Sequence, residues 1–215
     1  MLKADLHIHT CYSDDSDNSL DDIINRCLKI GINCLAVCDH GTIEGAVKLQ
    51  KIAPFKIIVA EEILTPNGEI MGMFLQETIP SGMTPQETIK RIREQGGLVC
   101  IPHPFDKFRS SALQMETLEL IKEEIDIIEV LNGRMAPFQN RDKGRLFAEE
   151  NGFRQSAGSD AHSIPEIGAC FVEMPDFNGK EDFLNALDGA KIKGYYSNPL
   201  VKLVSLKNKL KKRFV

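Results

Sequence analysis

The sequence predicts an α/β fold in which short buried strands, mostly parallel, alternate with amphipathic helices. Seven apolar runs of strand length recur along the 215 residues, and each is followed by a helix or helix-like segment. All five histidines lie at or just beyond the C-terminal end of a predicted strand. In barrels of parallel strands the loops after the strands open on one face, and that face carries the chemistry.

The first strand, carried by Leu2, Leu6 and Ile8, holds His7 and His9, which project to the same side because strand side chains alternate with period two. Thr10 to Asn18 is a polar loop. Ser19 caps a helix with Leu20, Ile23, Ile24, Cys27 and Leu28 at helical spacing, which Gly31 closes. Ile32 to Cys38 is a second strand, ending in Asp39-His40, and Thr42 caps the next helix. Phe55 to Ala60 is a third strand, ending in Glu61-Glu62. Pro66-Asn67-Gly68 marks a turn, with Glu69 to Leu75 returning as an excursion from the main sheet. Thr84-Pro85-Gln86-Glu87 combines an N-cap, proline at the first helical position and a capping-box glutamate, so a helix runs from there to Gln95. Leu98 to Ile101 is the fourth strand, followed by His103. A helix over 113–124 leads to a strand from Ile125 to Leu131, a helix over Gln139 to Glu150 to one from Phe153 to Ala157, and a last βα unit spans Ala169 to Ala190.

The length suits one domain over residues 1–200. Val201 to Val215 is basic and amphipathic, with Leu203, Leu206, Leu210 and Phe214 against Lys207, Lys209, Lys211, Lys212 and Arg213. It reads as a closing helix with a solvated lysine face, the alternative being a membrane-surface or RNA-contacting helix. The net charge of -5 offers no global attraction to nucleic acid or anionic membrane, so an anionic substrate requires a local positive feature. The six scattered cysteines show no Cys-x-x-Cys spacing and read as reduced thiols of a cytoplasmic protein. No apolar run approaches the ~20 residues of a membrane span, and Met1-Leu2-Lys3 leads straight into the first strand without a signal peptide's apolar region.

His7, His9, His40, His103 and His162 therefore converge, together with Asp14, Asp39, Glu62 and Asp160 at the same level. Imidazole and carboxylate without thiolate suit Mn²⁺, Fe²⁺ or Zn²⁺. So many ligands exceed what one ion needs and imply a cluster of two or three.

Asp5-Leu6-His7-Ile8-His9-Thr10 with Ser13-Asp14, then Asp39-His40, Glu62-Ile63-Leu64-Thr65, Pro102-His103-Pro104 and Gly158-Ser159-Asp160-Ala161-His162 resemble, in order, the motifs of the PHP (polymerase and histidinol phosphatase) family. The resemblance implies a distorted (β/α)7 barrel with a two- or three-metal phosphoesterase site. It implies a first ion on His7, His9, Glu62 and Asp160, a second bridged by Glu62 and taking His103, and a third on Asp14, His40 and His162. Glu62 is chosen over Glu61 because Ile63 and Thr65 follow it in the family's pattern. Asp39 is expected to orient an imidazole. Where many relatives place a further histidine for the second ion, this chain shows Met71 and Asn132, which leaves that ion short of protein ligands.

The expected activity is hydrolysis of a phosphate monoester of a small molecule or nucleotide by a metal-bridging hydroxide, carried by His7, His9, Glu62, Asp160 and His162. Arg134 and Arg109, in loops on the same face, are candidates for gripping phosphate. The competing readings are a nuclease or exonuclease on nucleic-acid ends and a non-catalytic metal-binding module.

Overall fold

A computed structural model of the chain describes residues 1–136, 140, 142–198, 201 and 208. Among them a nine-stranded sheet rolls into a nearly closed barrel with six helices outside it. Strands β1 (Leu2–Ile8), β2 (Cys34–Val37) and β3 (Lys56–Thr65) run parallel. Strand β4 (Gly68–Met73) returns antiparallel and pairs on its far side with β5 (Leu98–Ile101), after which β6 (Ile127–Asn132) and β7 (Arg154–Gly158) continue parallel to β5. The segment expected as an excursion is thus an integral strand of the barrel wall. The last predicted βα unit differs as well. Its strand β8 (Cys170–Met174) pairs antiparallel with the lower half of β1, and an unforeseen β9 (Lys191–Gly194) extends that edge. The structure is a barrel-like α/β sheet, but the strict (β/α)7 count does not hold among the described residues.

The helices are α1 (Leu20–Ile30), α2 (Glu44–Ile52), α3 (Pro85–Glu94), α4 (Met115–Leu120), α5 (Lys143–Asn151) and α6 (Lys180–Asp188). Ser19 accepts the Asp22 amide at the start of α1, Gly31 closes it at φ 76°, and Thr84 and Glu87 form the full capping box of α3. Thr42 sits one residue outside the α2 cap, where its hydroxyl accepts the Glu44 amide. Of the basic tail only Val201 and Asn208 are described, so its helical reading lies outside the described residues. None of the described helices is long and apolar enough to cross a membrane.

Two apolar layers follow from strand alternation. Leu35, Val37, Ile57, Val59, Ile63, Ile70, Val99, Ile101, Ile128 and Val130 face the helices. Leu2, Ala4, Leu6, Ala36, Ile58, Ala60, Met71, Cys100 and Ile127 fill the barrel interior. Toward the mouth of the barrel, which is the C-terminal end of β3 and β6 and the N-terminal end of the antiparallel β4, the inner positions turn ionisable: Ile58 and Ala60 give way to Glu62, Met71 to Glu69, and Ile127 to Glu129. On β1 strict alternation would send Ile8 inward after Leu6. Instead Ile8 packs with the outer layer, because the pairing with β2 shifts register between Asp5 and Ile8. That bulge turns His7 and His9 into the barrel, the re-aiming for which such irregularities are used.

The barrel is closed at the same level. The amide of Asp160 donates to His7 O at 2.7 Å, and that of His9 to Ala161 O at 3.0 Å. This seam requires a glycine, since a Cβ on Gly158 would lie 2.3 Å from His7 Cβ and 2.6 Å from His7 N.

Candidate metal centre

At the mouth of the barrel four donor atoms face a common point. His7 Nε2 lies 3.2 Å from His9 Nε2, 3.4 Å from Glu62 Oε2 and 3.8 Å from Asp160 Oδ1, and His9 Nε2 lies 3.5 Å from each of those two oxygens. Donors on one tetrahedral ion, at bonds of ~2.0–2.1 Å, stand ~3.3 Å apart, so the spacing suits shared coordination. Glu62 Oε2 and Asp160 Oδ1 are buried without a hydrogen-bond partner among the described residues. Buried carboxylate oxygens left this way are costly unless a cation satisfies them.

A second group surrounds the other oxygen of Glu62, where His103 Nε2 lies 2.7 Å from Oε1 and 3.4 Å from Glu69 Oε2. A third comprises His9, Asp15, His40 and His162, with Asp15 Oδ2 3.0 Å from His162 Nε2 and 3.6 Å from His40 Nε2. Here the expectation of Asp14 is corrected. The loop after β1 is pinned by Ser16 and Asn18 on His9 O, and Ser13 Oγ donates to Asp15 Oδ1. That turn aims Asp15 inward and leaves Asp14 exposed on its outer side. Accordingly Asp15→Asn should lower bound metal by about an ion at fixed free Mn²⁺ whereas Asp14→Asn should not, which metal analysis after dialysis would decide.

The supporting groups differ from those expected. Asp39 accepts from the amide and hydroxyl of Thr10, both at 2.6 Å, and so secures the first loop rather than an imidazole. The carboxylate that orients an imidazole is Glu129, whose Oε1 lies 3.1 Å from His7 Nδ1 and whose Oε2 accepts from the His103 amide and Asn132 Nδ2. Such a partner fixes which ring nitrogen is left to bind metal. The single acid in the apolar run Ile127–Asn132 was its signal in the sequence. Glu61 points away from the cluster and accepts the Ile79 amide. Met71 packs its sulfur 3.5 Å from Cys38 Sγ. His103 and Asp160, both ligand candidates, hold positive φ (33° and 56°), local strain of a kind that collects at functional sites.

The two arginines reach the site by different routes. Arg109 Nη2 pairs with Asp160 Oδ2. Arg134, nearly buried, is engaged by Glu166 Oε1, His162 Nδ1 and Val201 O, each at 2.9 Å. It braces His162.

The electrostatics are those of cation sites. Burial alone would raise Glu62 and lower His7. Their mutual attraction, with His103 on one side and Glu129 and Asp160 on the other, instead holds Glu62 well below the carboxylate range and His7 well above that of free imidazole. Burial likewise opposes His40, yet Asp15, Glu62 and Glu69 carry it up to about 10. His9 falls to about 3 through burial and the neighbouring His162 and His40. Burial raises the interior thiol of Cys38 well above its usual range, so it offers no thiolate ligand.

Beside these groups lies an open cavity of about 510 Å³, lined by Asp15, His40, Glu69 and His162 together with Phe108, Arg109 and Arg134. Residues 5–64 match the PHP domain and residues 139–192 the PHP-associated domain. An uncharacterized protein of Methanocaldococcus jannaschii is 36% identical over 99% of this chain and 89% of its own length. The chain belongs to the PHP domain family. A second uncharacterized protein of that organism is 41% identical over 61% of the chain and 82% of its own length. Among solved structures, this PHP protein superposes with TM-score 0.72 and 15% identity on a two-domain protein of Bacteroides vulgatus containing a predicted PHP-like metal-dependent phosphoesterase, covering 96% of this chain and 69% of that one. An amidohydrolase of Chromobacterium violaceum, with bound sulfate and no metal, matches with TM-score 0.64 and 14% identity over 95% and 96% of the two chains. At such identities these likenesses establish the PHP fold.

Proposed function

We propose that this protein is a metal-dependent phosphoesterase that hydrolyses a phosphate monoester of a small molecule or nucleotide. The observation that carries this reading is the cavity lined by Asp15, His40, Glu69 and His162, which belong to histidine–carboxylate groups that adjoin the buried pair His7 and His9 through His9 and Glu62. Its volume suits a small phosphorylated molecule.

Divalent ions held there would supply a nucleophilic water near neutral pH and neutralise phosphate charge. His7, His9, Glu62 and Asp160 would hold the first ion, Glu62 and His103 the second, and Asp15, His40 and His162 the third. Glu129, 3.1 Å from His7 Nδ1, would hold the proton on that nitrogen and leave Nε2 to bind metal. Arg109 lines the cavity and pairs with Asp160, which suits it to hold a phosphate oxygen by a charge-assisted bond. Arg134 acts by holding His162 in place, since its guanidinium is already engaged.

The test compares a chromogenic phosphomonoester, a phosphodiester and a labelled oligonucleotide, each with Mn²⁺ and with chelator. Monoester turnover that chelator abolishes is expected. Preferential cleavage of the oligonucleotide would transfer the reading to a nuclease, and metal binding without turnover to a non-catalytic module.

A further inference from the structure

The second ion is short of ligands in the resemblance to the PHP family, because Met71 and Asn132 stand where many relatives place a histidine. In the structure neither residue approaches it as a ligand. Met71 faces Cys38, and Asn132 donates to Glu129 and Asp160. Glu69, two residues before Met71 and on the same inner face of β4, occupies the position instead. Its Oε2 is 3.4 Å from His103 Nε2 and its Oε1 4.0 Å from His40 Nδ1. The residue is only 6% exposed, and Oε2 has no hydrogen-bond partner among the described residues. No arginine or lysine forms an ion pair with it among those residues. A buried carboxylate oxygen aimed at an imidazole nitrogen that also contacts Glu62 is placed to complete a coordination sphere.

We propose that Glu69 is the missing protein ligand of the second ion, and that the carboxylate pair Glu62 and Glu69 with the single imidazole of His103 makes this the position that selects an oxygen-preferring ion such as Mn²⁺. The inference rests on the site being a metal centre. The first group offers two imidazoles and two carboxylates, and the third up to three imidazoles and one carboxylate. His40 turns Nδ1 toward Glu62 and Glu69 and Nε2 toward Asp15; with it counted in the third group, the second has the highest share of oxygen donors. Imidazole-rich sites follow the general rise in affinity from Mn²⁺ to Zn²⁺, whereas carboxylate and water ligands suit Mn²⁺ and Mg²⁺. Two carboxylates and one imidazole also leave open positions for water and phosphate.

The experiment is equilibrium dialysis of the full chain against mixed Mn²⁺ and Zn²⁺, with metal analysis and the Mn²⁺ electron paramagnetic resonance spectrum as readouts. Near-ultraviolet circular dichroism checks the fold. Glu69→Gln is expected to lose about an ion and the spin coupling between adjacent Mn²⁺ ions that Glu62 would bridge. Glu69→His is expected to restore the stoichiometry while moving the Mn²⁺:Zn²⁺ ratio about tenfold toward Zn²⁺. Unchanged stoichiometry and coupling in Glu69→Gln would overturn the proposal, and so would a wild-type metal ratio in Glu69→His, which decides the matter if the glutamine variant fails to fold. Neither readout depends on turnover. A protein that binds Mn²⁺ through Glu69 but cleaves no phosphomonoester would refute the proposed function and leave this ligand standing.

Discussion

Replacing Asp160 by asparagine is expected to remove the first ion and to lower kcat/KM for a phosphomonoester by about 10³-fold, because several kcal/mol of metal-derived charge stabilisation go with it. Asparagine also tolerates the left-handed backbone held at this position, φ 56°, so the barrel should still close. The variant would leave Arg109 with only the more distant Asp106 carboxylate, and His7 and His9 with one fewer facing oxygen. Metal analysis, a rate measurement and a circular dichroism spectrum suffice. Full metal content at full rate would remove Asp160 from the centre.

Gly158→Ala should be strongly destabilising although it replaces no ligand. The added methyl meets the backbone and Cβ of His7 across the seam, neither of which is the end of a flexible side chain. Relief requires β1 and β7 to separate, which would break the bonds from Asp160 N to His7 O and from His9 N to Ala161 O. A loss of at least ~3 kcal/mol is expected, at the upper end for overpacking. In a chain of this length that lowers Tm by roughly 6–12 °C. Thermal unfolding with and without Mn²⁺ measures it, and an unchanged Tm would show that the seam is looser than the geometry indicates.

That the histidines lie together at one end of the barrel was legible in the sequence, because each sits at or just beyond the end of an apolar run of strand length. Glu62 and Asp160 were legible through the motifs around them. What stayed hidden depends on direction rather than on residue type. Asp14 and Asp15 are chemically identical neighbours, and only the hydrogen bonds of Ser13, Ser16 and Asn18 decide which turns inward. Glu69 follows Pro66-Asn67-Gly68, a signal for a turn that says nothing of whether the returning strand joins the barrel; because it does, Glu69 shares the inner face with Met71. The bulge in β1 leaves no mark on the alternation of apolar letters, yet without it His7 and His9 would face the helices.

The seam also constrains how the molecule can assemble. Its two hydrogen bonds join positions more than 150 residues apart in the chain, and they lie within the two segments that match the family, 5–64 and 139–192. Contacts this distant carry a large loop-closure cost and slow the folding of domains that depend on them. His7 and His9 stand on one bank and Asp160 and His162 on the other. During synthesis the first ligands therefore emerge long before their partners, and a growing chain cannot offer the complete centre until β7 and the loop after it have been made and have met β1.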